Sequence, residues 1–143
     1  MTEEQMMKVA YLNRAFHIDN KIKALEAVRL RNKSIAERCT ASYENAGGSS
    51  GSHDNNQEQI IHQICDDDVK IAEQLKSLLE CRRDIQKAIA CVQNDELETI
   101  LSMRYLAYMN VQAIADELHY DKRTIIRKHI KALDKIRISE CCH

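Results

Sequence analysis

Basic side chains with helical spacing mark the last third of this chain as the part that could do chemistry. Arg123, Arg127 and Lys131 follow one another at i, i+4 and i+8, so on a helix they line one face. Arg can donate paired hydrogen bonds to guanine in the DNA major groove, and Lys and Thr can reach phosphates. If this helix binds DNA, we expect Arg123, Arg127 and Lys131 to face the groove, and Lys122, Thr124 and Lys128 to contact phosphates.

The positive charge is local to this segment. Residues 122–137 contain seven basic residues and one acid, a charge of 7 − 1 = +6, whereas the whole chain of 143 residues has a net charge of −1. A basic helix face is most often only a solvated surface, so the stripe alone does not assign DNA binding. The opposite face of the helix is apolar and carries Ile125, His129, Ala132, Leu133 and Ile136.

Two short helices and a tight turn are expected to position the stripe. Asn94 offers an N-cap for a helix whose apolar face includes Leu97, Ile100, Leu101 and Leu106. Asn110 can cap a second helix over residues 111–118, and His119-Tyr120 forms the turn. Asp121 can cap the last helix, which is expected to end near Ile138. Ala115 is small, as a close crossing of two helices requires.

Residues 98–133 resemble the promoter-reading, C-terminal helix-turn-helix of bacterial sigma factors, known as region 4. In that family a Leu/Met-Arg-Tyr-like segment precedes the turn, an Ile-Ala-x-x-Leu helix follows, and Thr-Val/Ile opens the recognition helix. The matching segments here are Met103-Arg104-Tyr105-Leu106, Ile114-Ala115-Asp116-Glu117-Leu118 and Thr124-Ile125. The family usually has Gly where this chain has His119. The resemblance implies a positive φ there, which His tolerates better than most residues.

The whole layout is similar to small phage and prophage transcriptional regulators of Gram-positive bacteria, which include late-transcription activators of the RinA and ArpU type. Those proteins join an N-terminal helical region to a sigma-like module. The pattern Arg123-Thr124-Ile125, His129 and Ala132-Leu133 fits the group. The chain lacks the sigma region that melts the −10 element, so the resemblance implies a regulator rather than a complete sigma factor.

Two long helical patterns precede the module and flank a polar loop. The loop at residues 46–56 contains all three glycines of the chain. The patterns run from about Thr2 to Tyr43 and from about Asn55 to Val92. In both, stripe residues recur at alternating steps of three and four, as in helices that pack against a partner. The stripe positions are 11, 15, 18, 22, 25, 29, 32, 36 and 39, then 61, 64, 68, 71, 75, 78, 82, 85, 89 and 92.

Folding the chain back at this loop brings together residues whose numbers add to about 100. The resulting pairs include Ile22 with Leu78, Leu25 with Leu75, Asn32 with Asp68, and Asp19 with Arg82. The sequence therefore predicts an all-α protein in which residues 1–93 form a long antiparallel coiled-coil hairpin, residues 94–138 the helix-turn-helix and residues 139–143 a tail. Packing of the same stripes into a compact bundle is the alternative.

Little in the chain points to catalysis or to a membrane. No Gly-rich phosphate loop, nucleophile elbow or paired acid site occurs. No apolar run approaches the ~18 residues that span a bilayer, and no signal peptide is present. A location in the host bacterial cytoplasm follows, where the six cysteines are expected to be reduced. Neither His62, Cys65 and Asp66 nor Cys141-Cys142-His143 has the spacing of a strong metal site. We therefore expect no enzyme, no cofactor and no metal ion.

A sequence-specific DNA-binding transcriptional regulator is the first hypothesis. It would be phage-encoded, act on late or phage promoters through double-stranded DNA, and could contact RNA polymerase or dimerise through its hairpin. Two alternatives stay open. A small-terminase-like DNA-packaging subunit would also join a helix-turn-helix to an oligomerising helical region. A coiled-coil adaptor would bind no DNA.

Overall fold

The computed structural model describes the backbone of residues 1–45 and 52–138, and these ranges contain helices and no strand. Within these described ranges, no helix is both long and apolar enough to cross a membrane. Two segments lie outside the described residues: residues 46–51, which belong to the predicted loop, and residues 139–143, the predicted tail. The side chains of residues 40, 42–45 and 52–56 also lie outside the described part. The helices are α1 (Glu3–Leu12), α2 (Arg14–Asn45), α3 (Ser52–Ala90), α4 (Asp95–Tyr105), α5 (Val111–Leu118) and α6 (Lys122–Lys135).

The first helical pattern forms a long helix that bends at Asn13. A capping box opens α1: the Gln5 amide N–H donates to the Thr2 hydroxyl (3.2 Å), and the Thr2 amide N–H donates to the Gln5 side chain (3.0 Å). Backbone hydrogen bonds continue across the bend, from Asn13 to Val9 (2.9 Å) and from His17 to Asn13 (3.2 Å). The single helix predicted from Thr2 is therefore present as two nearly continuous segments.

The second pattern begins earlier than predicted. Helix α3 starts at Ser52, so residues 52–56, expected to belong to the loop, are helical. Ser, Asp and Asn are residue types that helices favour at their N-termini, which explains why a polar run could be helical. The helix ends at Ala90, and Asn94 then caps α4 by accepting a hydrogen bond from the Leu97 amide (3.0 Å), as predicted.

The chain divides into two units. The terminal unit comprises residues 1–18 and the chain from residue 78 onward, and the middle unit comprises residues 19–77. A buried apolar cluster in the terminal unit joins side chains of α1, α2, α3, α4 and α6. The predicted module at 94–138 thus shares its core with residues outside it. The cluster contains Leu12, Ala15, Cys81, Ile85, Ala88, Ile89, Val92, Leu97, Leu101, Tyr105, Ala132, Leu133 and Ile136.

In the middle unit the predicted stripe of α3 is partly wrong. Ile61, Asp68 and Leu75 were expected to face inward but are exposed. The buried or half-buried positions among the described side chains of α3 in this unit are 57, 60, 64, 67, 71 and 74, which also alternate steps of three and four. Asp67 is only 2% exposed. Its carboxylate accepts hydrogen bonds from the Asn32 and Gln63 side-chain amides, both at 3.1 Å, and these bonds make its burial tolerable.

Contacts between α2 and α3 also shift the predicted register by one residue. Asn32 was expected opposite Asp68 but bonds to Asp67, while Arg29 forms an ion pair with Asp68. Residues 67 and 68 differ by about 100° around the helix, so only Asp67 can point inward at this layer. The stripe of α2 agrees with its predicted spacing, since positions 22, 25, 29, 32, 36 and 39 are all buried or half-buried.

The last helix ends at Lys135 rather than near Ile138. The backbone of Ile136 is extended (φ −67°, ψ 133°), and its side chain is buried. In extended chain, residues i and i+2 point the same way, whereas a continued helix would turn Ile138 about 200° away from Ile136. The change of conformation therefore lets both Ile136 and Ile138 pack against the terminal-unit core.

Candidate nucleic-acid interface

The turn between α5 and α6 has the geometry that the sequence implied. Asn110 caps α5 by accepting a hydrogen bond from the Ala113 amide (2.8 Å). His119 adopts the left-handed conformation (φ 59°, ψ 41°), as expected for a position where the sigma family usually has Gly. The amide of Tyr120 donates to the Ala115 carbonyl (2.9 Å) and closes the turn. Since a left-handed residue other than Gly is disfavoured, this turn holds a modest strain.

A second apolar cluster fixes α6 against α4 and α5. It consists of Ile100, Ile114, Ala115 and Ile125, each 1% exposed. Ala115 lies in this contact, as predicted for a position where two helices cross closely. Because Ile125 belongs to this cluster while Ala132 and Leu133 belong to the larger one, α6 is anchored along its length.

The predicted groove-facing residues lie on the free side of α6. Arg123, Arg127 and Lys131 are exposed, and so is Lys122. Such a surface can bind a polyanion, and its guanidinium groups can donate paired hydrogen bonds. Thr124 is half-buried beside Asp121, the N-cap residue of α6, and its hydroxyl lowers the pKa of the Asp121 carboxyl. The sequence had suggested that the Asp121 side chain caps the α6 backbone, but it makes no such hydrogen bond.

Lys128 differs from the other predicted site residues because its ammonium group has an internal partner. It forms an ion pair with Glu96 of α4, and its side chain is 22% exposed. Tyr120 completes the group: its hydroxyl donates to Glu96 (2.6 Å), and its ring lies 4.6 Å from the Lys128 ammonium. The Lys128 hydrogen bond lowers the pKa of Glu96, and the same bond raises the pKa of Lys128. This group joins the start of α4 to the middle of α6.

Three further hydrogen bonds to α6 involve residues that the sequence did not assign to the DNA-binding site. The hydroxyl of Tyr105 lies 2.6 Å from Nε2 of His129. Burial raises the pKa of Tyr105 to about 12 and lowers the pKa of His129. From α1, the Lys8 ammonium donates to the Leu133 carbonyl (3.1 Å), and the Gln5 amide donates to Asp134 (2.6 Å). A cation at a helix C-terminus is favourable, so Lys8 stabilises the end of α6.

Arg82 also acts inside the terminal unit. The sequence placed it beside Asp19, but it donates to the Leu106 carbonyl (2.9 Å) and to the Tyr108 hydroxyl (3.2 Å). Tyr108 has a positive φ of 58°, and its ring packs edge-on against Phe16 at 5.4 Å. These contacts stabilise the connection between α4 and α5.

An apolar patch on the basic face of α6 was missed as well. Ile126 and Ile130 line a shallow depression of about 630 Å³ together with basic side chains. Neither isoleucine was assigned to the buried face or to the basic stripe. The complete lining is Asp121, Arg123, Thr124, Ile126, Arg127 and Ile130. Within the described part of the chain, no three His, Cys, Asp or Glu residues converge on a metal site.

Comparison with known proteins identifies a family. A profile described as Protein of unknown function (DUF1492) matches residues 40–137, from the last part of α2 through α6. The match covers more than half of the chain, so the protein belongs to this family. No curated protein and no solved structure gave a significant match.

Proposed function

We propose that this member of the DUF1492 family is a sequence-specific DNA-binding transcriptional regulator rather than an enzyme. In this proposal α5 and α6 form a helix-turn-helix like that of sigma region 4, and α6 enters the major groove. One observation carries the proposal. Arg123, Arg127 and Lys131 are exposed on one side of a helix whose other side is anchored by two apolar clusters.

The predicted residues take two roles on DNA. Arg123, Arg127 and Lys131 face the base edges, and Lys122 and Thr124 contact phosphates at the start of α6, where the helix dipole also favours an anion. Lys128 forms an ion pair with Glu96 in the free protein, so it contacts a phosphate only when that ion pair breaks.

In this proposal the middle unit has a role separate from DNA recognition. We take it as an antiparallel coiled-coil hairpin that sets the oligomeric state or contacts RNA polymerase at phage or late promoters. The bonds Arg29–Asp68 and Asn32–Asp67 support an antiparallel pairing, because their residue numbers add to 97 and 99.

Crosslinking tests the register in a variant whose native cysteines are replaced by serine. The pair Asn32→Cys and Asp67→Cys should form a disulfide on mild oxidation, whereas Asn32→Cys with Gln74→Cys, one heptad away, should not. Preferential crosslinking of the second pair would rule out the hairpin register.

Selection from random duplex DNA at physiological salt tests DNA recognition. Enrichment of one motif is expected, with affinity that falls steeply as salt rises because phosphate contacts release counterions. Arg127→Glu should abolish binding to the selected duplex and leave the helicity unchanged. Arg31→Glu is the matched control, since Arg31 is exposed on α2 in the middle unit. Normal binding by the Arg127 variant would remove this assignment of the site.

The same preparations separate the two alternatives. A ring of roughly eight or more protomers in a mass measurement would favour DNA packaging over regulation, because packaging subunits of the small-terminase kind work as rings. Absence of any salt-sensitive DNA binding would favour a coiled-coil adaptor.

A further inference from the structure

The outward face of α6 carries apolar groups where a merely solvated basic helix would not need them. Ile126 is 42% exposed, and Ile130 is half-buried. At about 100° per residue, Ile130 falls on the same side as Arg123 and Arg127, and Ile126 lies about 60° to one side of Arg123. Both isoleucines line the depression that the two arginines border.

The chemistry of the major groove restricts what such a patch can contact. Guanine offers two acceptors that suit Arg, and thymine alone among the four bases presents an apolar group, its C5 methyl. Arg123 and Arg127 are one turn apart, about 6 Å along the helix axis, and base pairs are stacked about 3.4 Å apart. The two arginines and Ile126 therefore span about two or three consecutive base pairs.

We infer that Ile126, flanked by Ile130, contacts the C5 methyl of a thymine that lies within one or two base pairs of guanines bound by Arg123 and Arg127. The contact presupposes the DNA binding proposed above and adds a specificity determinant to it. Transfer of the exposed Ile126 side chain from water onto a methyl group favours binding without neutralising any phosphate. The site should consequently discriminate thymine from uracil, which pairs identically but lacks the methyl group.

The test uses the full chain and the duplex selected from random DNA. Each thymine of the motif is replaced in turn by deoxyuridine, and Kd is measured by fluorescence anisotropy. At one position the wild type should bind the deoxyuridine duplex roughly fourfold more weakly, the effect expected for one buried methyl group. Ile126→Ala should bind the thymine and deoxyuridine duplexes equally and keep the wild-type dependence on salt.

Two controls isolate the contact. Leu30→Ala removes an exposed leucine from the middle unit and should retain the fourfold ratio. Lys122→Ala should weaken binding to both duplexes alike and reduce the salt slope by about one. Helicity measured by circular dichroism verifies that each variant is folded, as expected for substitutions at exposed positions.

Equal binding of thymine and deoxyuridine duplexes by the wild type at every position would overturn the inference and leave the proposed DNA binding intact. Retention of the fourfold ratio in Ile126→Ala would also overturn it. Failure of the wild type to bind any duplex in a salt-sensitive way would remove the proposed function and the thymine contact together.

Discussion

The terminal and middle units of this protein differ in how completely they bury large apolar side chains. The terminal unit encloses large apolar residues completely, among them Leu12, Ile85 and Leu101 at 0% exposure. In the middle unit the buried positions include Ile22 and the carboxylate of Asp67, while Leu30 and Val69 stay exposed. The difference shows that an apolar core requires several elements to close around it, whereas two long helices can cover only one stripe of each other.

The two units therefore have different structural roles. Helix α6 receives contacts from α1, α4 and α5, so the terminal unit can hold a set of charged side chains in fixed relative positions. The hydrogen bond from Asn32 to Asp67 constrains how α2 and α3 pair, because a shift of register would deprive the buried carboxylate of its partner on α2.

The largest expected effect is loss of a core leucine in the terminal unit. Leu101→Ala should lower the free energy of unfolding by about 2–5 kcal/mol, because the cavity adds to the lost transfer energy. Leu75→Ala removes the same atoms in the middle unit, where the side chain is 44% exposed, and should cost much less. Urea denaturation measures both. Equal costs would contradict the contrast between the units.

In the middle unit, loss of the buried carboxylate should lower the free energy of unfolding more than loss of the exposed Leu75 side chain. Asp67→Ala leaves the Asn32 amide without its partner and should cost about 1–3 kcal/mol of unfolding free energy. The double variant Asp67→Leu with Asn32→Leu removes both groups and should recover most of that loss. A double variant less stable than Asp67→Ala would show that the hydrogen bond is not the source of the effect.

The pH dependence of stability should reveal the burial of His129. Burial lowers the pKa of His129 in the folded state, so the unfolded chain binds its proton first, near the ordinary value of about 6.5. The stabilisation is complete above that pH and is lost as the pH falls through it toward the lower folded pKa. Thermal melts from pH 8 to 5 should show this loss, with a smaller slope in His129→Gln. His17→Gln, a change at an exposed histidine, should keep the wild-type slope.

The smallest expected effect concerns the turn before α6. His119→Gly should raise the free energy of unfolding by about 0.5–1 kcal/mol, because Gly adopts the left-handed conformation without a Cβ clash. His119→Ala should bring no such gain. Chemical denaturation of the three proteins gives the order, and a destabilising Gly variant would mean that the His119 side chain contributes a contact worth more than the strain.

Much of the terminal unit could be predicted from the sequence because its signals are local. Asn94 and Asn110 occupy the N-caps that they were assigned, and Arg123, Arg127 and Lys131 lie on the exposed face of α6. Caps depend on the residue and its next three neighbours, and helical faces depend on spacing alone. The stripe of α3 was harder, because apolar Leu75 beside polar Gln74 suggested the wrong inward residue.

The sequence by itself determined that the chain is helical and which side of α6 is basic, since composition and periodicity act within a helix. Only the tertiary structure decided that residues 1–18 close the core around α6, that Glu96 holds Lys128, and that Asp67 is the buried acid. Such pairings join residues far apart in the chain, and their energies depend on burial and distance rather than on neighbouring residues. For the same reason, Ile126 and Ile130 could be recognised as a contact surface only once the opposite side of α6 was seen to be buried.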